Sequence, residues 1–122
     1  MSQSLLSKVV PFSSATKIVT PEATIWDYAI AKDVGISYQN LKGRGPQTGQ
    51  YLNTVCHELY FIIKGEAIFY INGVEHLVAA KDVVVVEPNT SHYIEVKDGT
   101  DQLEYITITR PDWYAEQYKQ VT

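Results

Sequence analysis

Residues Leu59 to Ile71 read LYFIIKGEAIFYI, two β-branched and aromatic runs broken at Lys64-Gly65. Such residues suit a pleated, half-buried surface, and both runs are predicted as strands. Asn72-Gly73 follows at once, the strongest short hairpin signal, because both residues tolerate the positive φ of a type I′ turn. The return strand is predicted over Val74 to Val78. After the turn Ala79-Ala80-Lys81-Asp82, four consecutive valines (Val83 to Val86) are expected to form a strand buried on both faces, since β-branched side chains lose χ1 freedom in a helix. Pro88-Asn89-Thr90-Ser91 ends it, His92 to Val96 opens another strand, and Asp98-Gly99 marks a second tight turn. Leu103 to Thr109 (LEYITIT) is the last long strand.

Upstream, Ala23 to Ile30 and Val34 to Leu41 read as strands. Gly43, Gly45, Pro46 and Gly49 then mark an open loop of about ten residues. Downstream, Pro111 suits a first helical turn, and Asp112 to Gln120 is expected to be a short helix or an aromatic-rich tail. About eight short strands joined by turn chemistry define an all-β antiparallel sandwich or barrel, with the jelly roll as the expected member. The reading is one domain over residues 1–122, with a core at about 23–109, an N-terminal arm at 1–22 and a tail at 110–122.

Composition narrows the partners. With 14 acids against 10 bases the net charge is -4, so a basic face for nucleic acid is not expected. No apolar run approaches the ~18 residues that span a bilayer, and the amino end lacks the pattern of a secretory signal. A single cysteine, Cys56, forms no internal disulfide, which fits a reducing compartment; the expected location is the cytoplasm.

Glu58 to Gly65, and Val83 through Pro88-Asn89-Thr90-Ser91 to His92, resemble the two motifs of the cupin family. The first motif has the form G-x5-H-x-H-x(3,4)-E-x6-G, and Gly45, Glu58 and Gly65 fall in register with its longer version. In the second, G-x5-P-x-G-x2-H-x3-N, His92 takes the histidine position and Pro88 sits one place late. Lys81 and Asn89 stand where the two glycines belong, and Val96 replaces the closing asparagine. The resemblance implies a conserved-barrel jelly roll and, as is common for small cupins, a homodimer.

It also implies a metal centre of three histidines and a glutamate, and here the chain departs. The first-motif histidine positions fall on Tyr51 and Asn53, or on Leu52 and Thr54 with the shorter spacing. Only Glu58 and His92 match ligand positions, whereas three or four protein ligands are usual. Alternation along the strand turns His57 away from Glu58 but gives Cys56 the same parity, so Cys56, Glu58 and His92 form a substituted set adequate for zinc or ferrous iron; manganese and nickel are the other metals to consider. The leading expectation is an interior without a catalytic metal. In it, Glu58, His92 and Tyr60 are the polar groups of a small-molecule pocket, with Glu58 and His92 as an acid–base pair. Two alternatives stand beside it. One is a metal-dependent sugar isomerase, epimerase or dioxygenase using the substituted set; the other is a non-catalytic interaction protein with a filled barrel. Nine tyrosines and two tryptophans, including Trp26, Tyr28, Trp113, Tyr114 and Tyr118, are read as interface and lid packing rather than a ligand platform.

Overall fold

A computed structural model describes residues 5–122. The strands are β1 (Thr16–Val19), β2 (Ala23–Tyr28), β3 (Gly35–Leu41), β4 (Arg44–Gly45), β5 (Gln50–Asn53), β6 (His57–Lys64), β7 (Ala67–Ile71), β8 (Val74–Val78), β9 (Val83–Val86), β10 (His92–Val96), β11 (Leu103–Arg110) and β12 (Tyr118–Val121). They form two sheets, in the orders β1-β2-β3-β11-β6-β9 and β12-β5-β10-β7-β8, with β4 also paired to β10. Every pairing is antiparallel. The all-β jelly roll expected from the strand pattern is the fold observed. Between the sheets Leu41, Ile62, Phe69, Ile94 and Leu103 are fully buried, each stabilising the barrel by roughly 1.5–3 kcal/mol.

Turn chemistry acts where it was read. Asn72 and Gly73 adopt φ of 50° and 77° between β7 and β8. Lys81 and Asn89, at the two glycine positions of the second motif, also have positive φ, 76° and 62°. The backbone bend of the motif is therefore kept after its glycines are gone. Hydrogen bonds hold it: Lys81 N–H donates to the Ile62 carbonyl and Asn89 N–H to that of Asn53, both at 2.7 Å.

Four expectations need correction. The valine run is buried on one face only: Val84 and Val86 are 7% and 1% exposed, but Val83 and Val85 are 57% and 56%. The reason is position, because β9 is an edge strand whose outer face carries no second layer. Residues 43–52 are not an open loop throughout, since β4 and β5 both pair with β10. The tail makes no α-helix; after a 3-10 turn at Ala115–Gln117 it becomes β12, which satisfies the free edge of β5. The arm is likewise not external to the sheets, because β1 pairs along β2. Among the described residues no helix is long and apolar enough to cross a membrane.

Register sorts the first sheet into an unusual pair of faces. Inward, Asp27, Ser37, Thr107 and Tyr60 stand side by side across β2, β3, β11 and β6, with Gly35, Thr109 and Glu58 in the next row. Outward, the rows are Trp26, Tyr38, Ile106, Phe61, Val83 and Tyr28, Ile36, Ile108, Leu59, Val85. One end of the barrel interior is thus polar, and the outer face of that sheet is apolar.

Candidate functional site

The polar rows line a cavity of about 380 Å³. Its wall carries a hydrogen-bonded ladder: Tyr105 donates its hydroxyl to Gln39 Oε1 (2.9 Å), and Gln39 Nε2 donates to Ser37 Oγ (2.8 Å) and Thr107 Oγ1 (3.3 Å). Tyr51 and Tyr118 close it from the second sheet and Trp113 from the tail. Burial raises the Tyr51, Tyr60 and Tyr105 hydroxyls above the usual tyrosine range, so each stays protonated and serves as a donor.

The three residues singled out for acid–base work converge. His92 Nε2 lies 3.2 Å from Glu58 Oε1 and 3.1 Å from the Tyr60 hydroxyl, while Nδ1 lies 3.1 Å from the Thr90 carbonyl. A carbonyl can only accept, so Nδ1 carries a proton and the neutral ring presents a bare Nε2. A bare Nε2 accepts from Tyr60, but it gives an ionised Glu58 nothing. The contact with Glu58 is favourable when one more proton is present, on Nε2 or on the carboxyl. Glu58, Tyr60 and His92 therefore form one contiguous polar cluster. Glu58 and Tyr60 reach the cavity wall, whereas His92, 1% exposed, sits behind them. His92 thus meets Glu58 from behind and does not itself line the cavity.

Cys56 goes elsewhere. Its thiol is within hydrogen-bond reach of Gln117 Oε1 (3.0 Å) and the Pro111 carbonyl (3.1 Å), holding the tail in place. Burial, then the charge of Glu58, pushes the thiol up and away from the reactive thiolate. Among the described residues no three His, Cys, Asp or Glu side chains converge as metal ligands, so Cys56, Glu58 and His92 are not assembled as a set. The other two ligand positions of the family do not supply the lack. Asn53 Oδ1 accepts from the Val55 and Cys56 N–H groups, and its Nδ2 donates to Gln117 Oε1. Tyr51 offers a neutral phenol. The donors present do not fit the metal centre that the motif implies.

Sequence reasoning missed the rest of the wall. Asp27 and Asp112 face the cavity together with Glu22 and Glu58, and no lysine or arginine among the described residues lines it. Burial raises Asp27, and the Asp112 charge raises it further; burial also raises Asp112. The signal was present in LEYITIT and GISYQNL, where polar and apolar residues alternate, but alternation alone does not say which set points inward.

A small antiparallel barrel with an acidic pocket open at one end is the class that fold and site define. The chain belongs to the Cupin domain family, whose pattern it matches over residues 37–109. No curated protein matches the sequence. Among solved structures it is similar to a Streptomyces Pac13 variant with uridine, at 16% identity and a TM-score of 0.80 over 96% of this chain and 92% of that one. Pac13 itself is described as a nucleoside dehydratase. KdgF from Halomonas sp. superposes with a TM-score of 0.73 at 12% identity, covering 88% of this chain and 96% of that one. A variant of Bacillus subtilis oxalate decarboxylase gives 0.72 at 18% identity, covering 89% of this chain but 30% of that one. At these identities the likeness is one of fold.

Proposed function

We propose that this cupin binds a polar, non-anionic small molecule inside the barrel and exchanges a proton with it through Glu58, without a metal. The carrying observation is the Glu58–Tyr60–His92 unit at the wall of a 380 Å³ cavity that no lysine or arginine among the described residues lines. That volume suits a drug-sized or nucleoside-sized ligand. Glu58 takes a proton from the ligand, Tyr60 donates a hydrogen bond, and His92 balances the charge on Glu58. Returning the proton to a different carbon gives an isomerisation; delivering it to a departing hydroxyl gives a dehydration. Both balance without another reactant. Uridine, present with Pac13, is uncharged and heterocyclic, whereas oxalate would meet four carboxylates. The cavity weighs against a filled barrel, and the donor set weighs against a metal-dependent isomerase or dioxygenase.

The test is binding by the full chain, followed by calorimetry, with uridine and free sugars set against uridine monophosphate and oxalate. Uncharged members should bind and anionic ones should not. With a bound ligand, solvent deuterium should wash into it and Glu58→Gln should stop the exchange. Preferential binding of the anions would overturn the reading.

For the homodimer implied by the family we propose the outer face of the first sheet as the contact. The chain's own arm already covers part of that face, Phe12 packing on Trp26, Tyr28 and Tyr38 at ring separations of 5.6–6.4 Å. The uncovered remainder, Phe61, Val83 and Val85, continues the same rows and suits a second copy. Light scattering should report a dimer that Val85→Lys with Phe61→Lys dissolves; a monomeric parent protein would refute this.

A further inference from the structure

We infer that the mouth of the cavity holds an ammonium subsite, built by Asp27, Asp112 and Thr109 and walled by Trp113 and Tyr118, so that the ligand is an amine. This rests on the barrel being a ligand pocket, and narrows the ligand class.

Four observations converge. First, Thr109 is 5% exposed and lines the cavity, and beyond its approach to the Cys56 thiol its Oγ1 makes no hydrogen bond. With its proton turned to that weakly accepting sulfur, the buried hydroxyl keeps its lone pairs for a donor that enters with the ligand. Second, Gly35 leaves that corner open. A Cβ there would begin within 2.6 Å of Asp112 Oδ1 and closer still to Thr109 Oγ1, so the two oxygens face one small volume that a side chain would fill. Asp27 lies diagonally across, opposite Ser37, two residues along β3 from Gly35. Third, neither Asp27 nor Asp112 has an ion-pair partner within 4.0 Å among the described residues. Two carboxylates that feel each other's charge in one cavity, with no cation, favour a ligand that brings a positive charge. Fourth, the adjoining wall is aromatic. Trp113 follows Asp112 and donates its backbone N–H to Oδ1 at 3.0 Å, and its ring lies 6.5 Å from that of Tyr118, which lies 5.7 Å from that of Tyr51. Carboxylates beside ring faces match an alkylammonium, which takes both charge pairing and cation–π contact.

A bare metal ion fits less well. Calcium takes about 6–8 oxygen ligands, whereas two carboxylates and one hydroxyl are offered. An ammonium has three N–H donors, of which Asp112 and Thr109 accept at the Gly35 corner, while Asp27 adds negative charge across the mouth.

The experiment compares matched pairs on the full chain: tyramine against tyrosol, glucosamine against glucose, with calcium chloride as a third arm. The amine of at least one pair should bind at least about tenfold tighter than its alcohol, the effect of one charge-assisted contact. Asp112→Asn and Asp27→Asn should each bring that ratio towards one, and Thr109→Val should lower it, while Glu75→Gln, on the exposed face of β8 away from the cavity, leaves it in place. Three results overturn the inference: alcohols binding as well as amines, no amine binding at all, or calcium binding with the same Asp112 dependence and displacing the amine. Uridine or sugar binding without an amine preference would sink the subsite and leave the pocket reading intact. An amine preference with no solvent deuterium washing into the bound ligand would do the reverse.

Discussion

Thr109→Val should make the protein more stable and bind its ligand less well. Thr109 faces inward from β11 between Gly35 and Glu58, and beyond its approach to the Cys56 thiol its hydroxyl oxygen is buried without a hydrogen bond. A buried polar group left unsatisfied costs about 1–3 kcal/mol against its hydrated state, and valine replaces the hydroxyl with a methyl of similar shape. The added methyl lies near Asp112 Oδ1 and meets a polar neighbour, which offsets part of the gain. The expected net is about 1 kcal/mol, or roughly 3–5 °C in Tm for a domain of this size. Urea unfolding should show a higher midpoint at unchanged slope, since the surface exposed on unfolding is the same. Amine affinity, measured on the same preparation, should fall. A variant that melts below the parent would mean that the hydroxyl already has a partner, and the free acceptor on which the ammonium subsite depends would be gone.

Lys81→Gly should stabilise the chain by about 0.5–1 kcal/mol, because a left-handed residue with a side chain costs about 1–2 kcal/mol and glycine returns part of that as unfolded-state entropy; a lower Tm would refute the strain. His92→Ala should cost about 3–5 kcal/mol, since it empties a fully buried site and strips partners from Glu58, Tyr60 and the Thr90 carbonyl; a loss under about 1 kcal/mol would show that the unit is not formed. Asp27→Asn should gain on the parent as pH rises. The folded carboxyl titrates above its unfolded value, so its contribution is complete below the unfolded pKa and is lost as pH climbs through the folded one. Melting curves from about pH 3.5 to pH 7 should therefore show the variant's advantage growing, and an advantage that shrinks would contradict the raised pKa.

What could be read in advance was what local chemistry determines. Asn72-Gly73 states its turn outright, and strand alternation put Glu58 and Tyr60 on one face. The motif spacing paired them with His92 even though both flanking glycine positions had changed, because Lys81 and Asn89 retain the backbone bend that the glycines provide elsewhere. What could not be read depended on partners distant in sequence. Four valines look the same at a sheet centre and at an edge. Tyr118 to Val121 is a strand only because β5 presents an open edge, and Cys56 turns to the tail only because Gln117 arrives there. Asp27 and Asp112, 85 positions apart in the sequence, become neighbours solely through the closure of the barrel.

The polar end of the first sheet ties pocket and outer face together. Turning Ser37, Thr107, Thr109, Glu58 and Asp27 inward gives the barrel a polar interior at one end, at the expense of the apolar burial those positions would otherwise supply. The same alternation, with its strict period of two, forces Ile36, Tyr38, Ile106, Ile108, Phe61 and Val83 outward. Where the inner row is polar, the apolar side chains left on the outer face are the ones to be covered. The arm does this over β2 and β3 through Phe12, and leaves β6 and β9 bare. A second copy over β6 and β9 would complete the layer that stabilises the inner polar rows. Lysines placed at Phe61 and Val85 should therefore do more than separate subunits: by loosening the sheet that carries Glu58 and Tyr60, they should also weaken ligand binding at a site they do not touch.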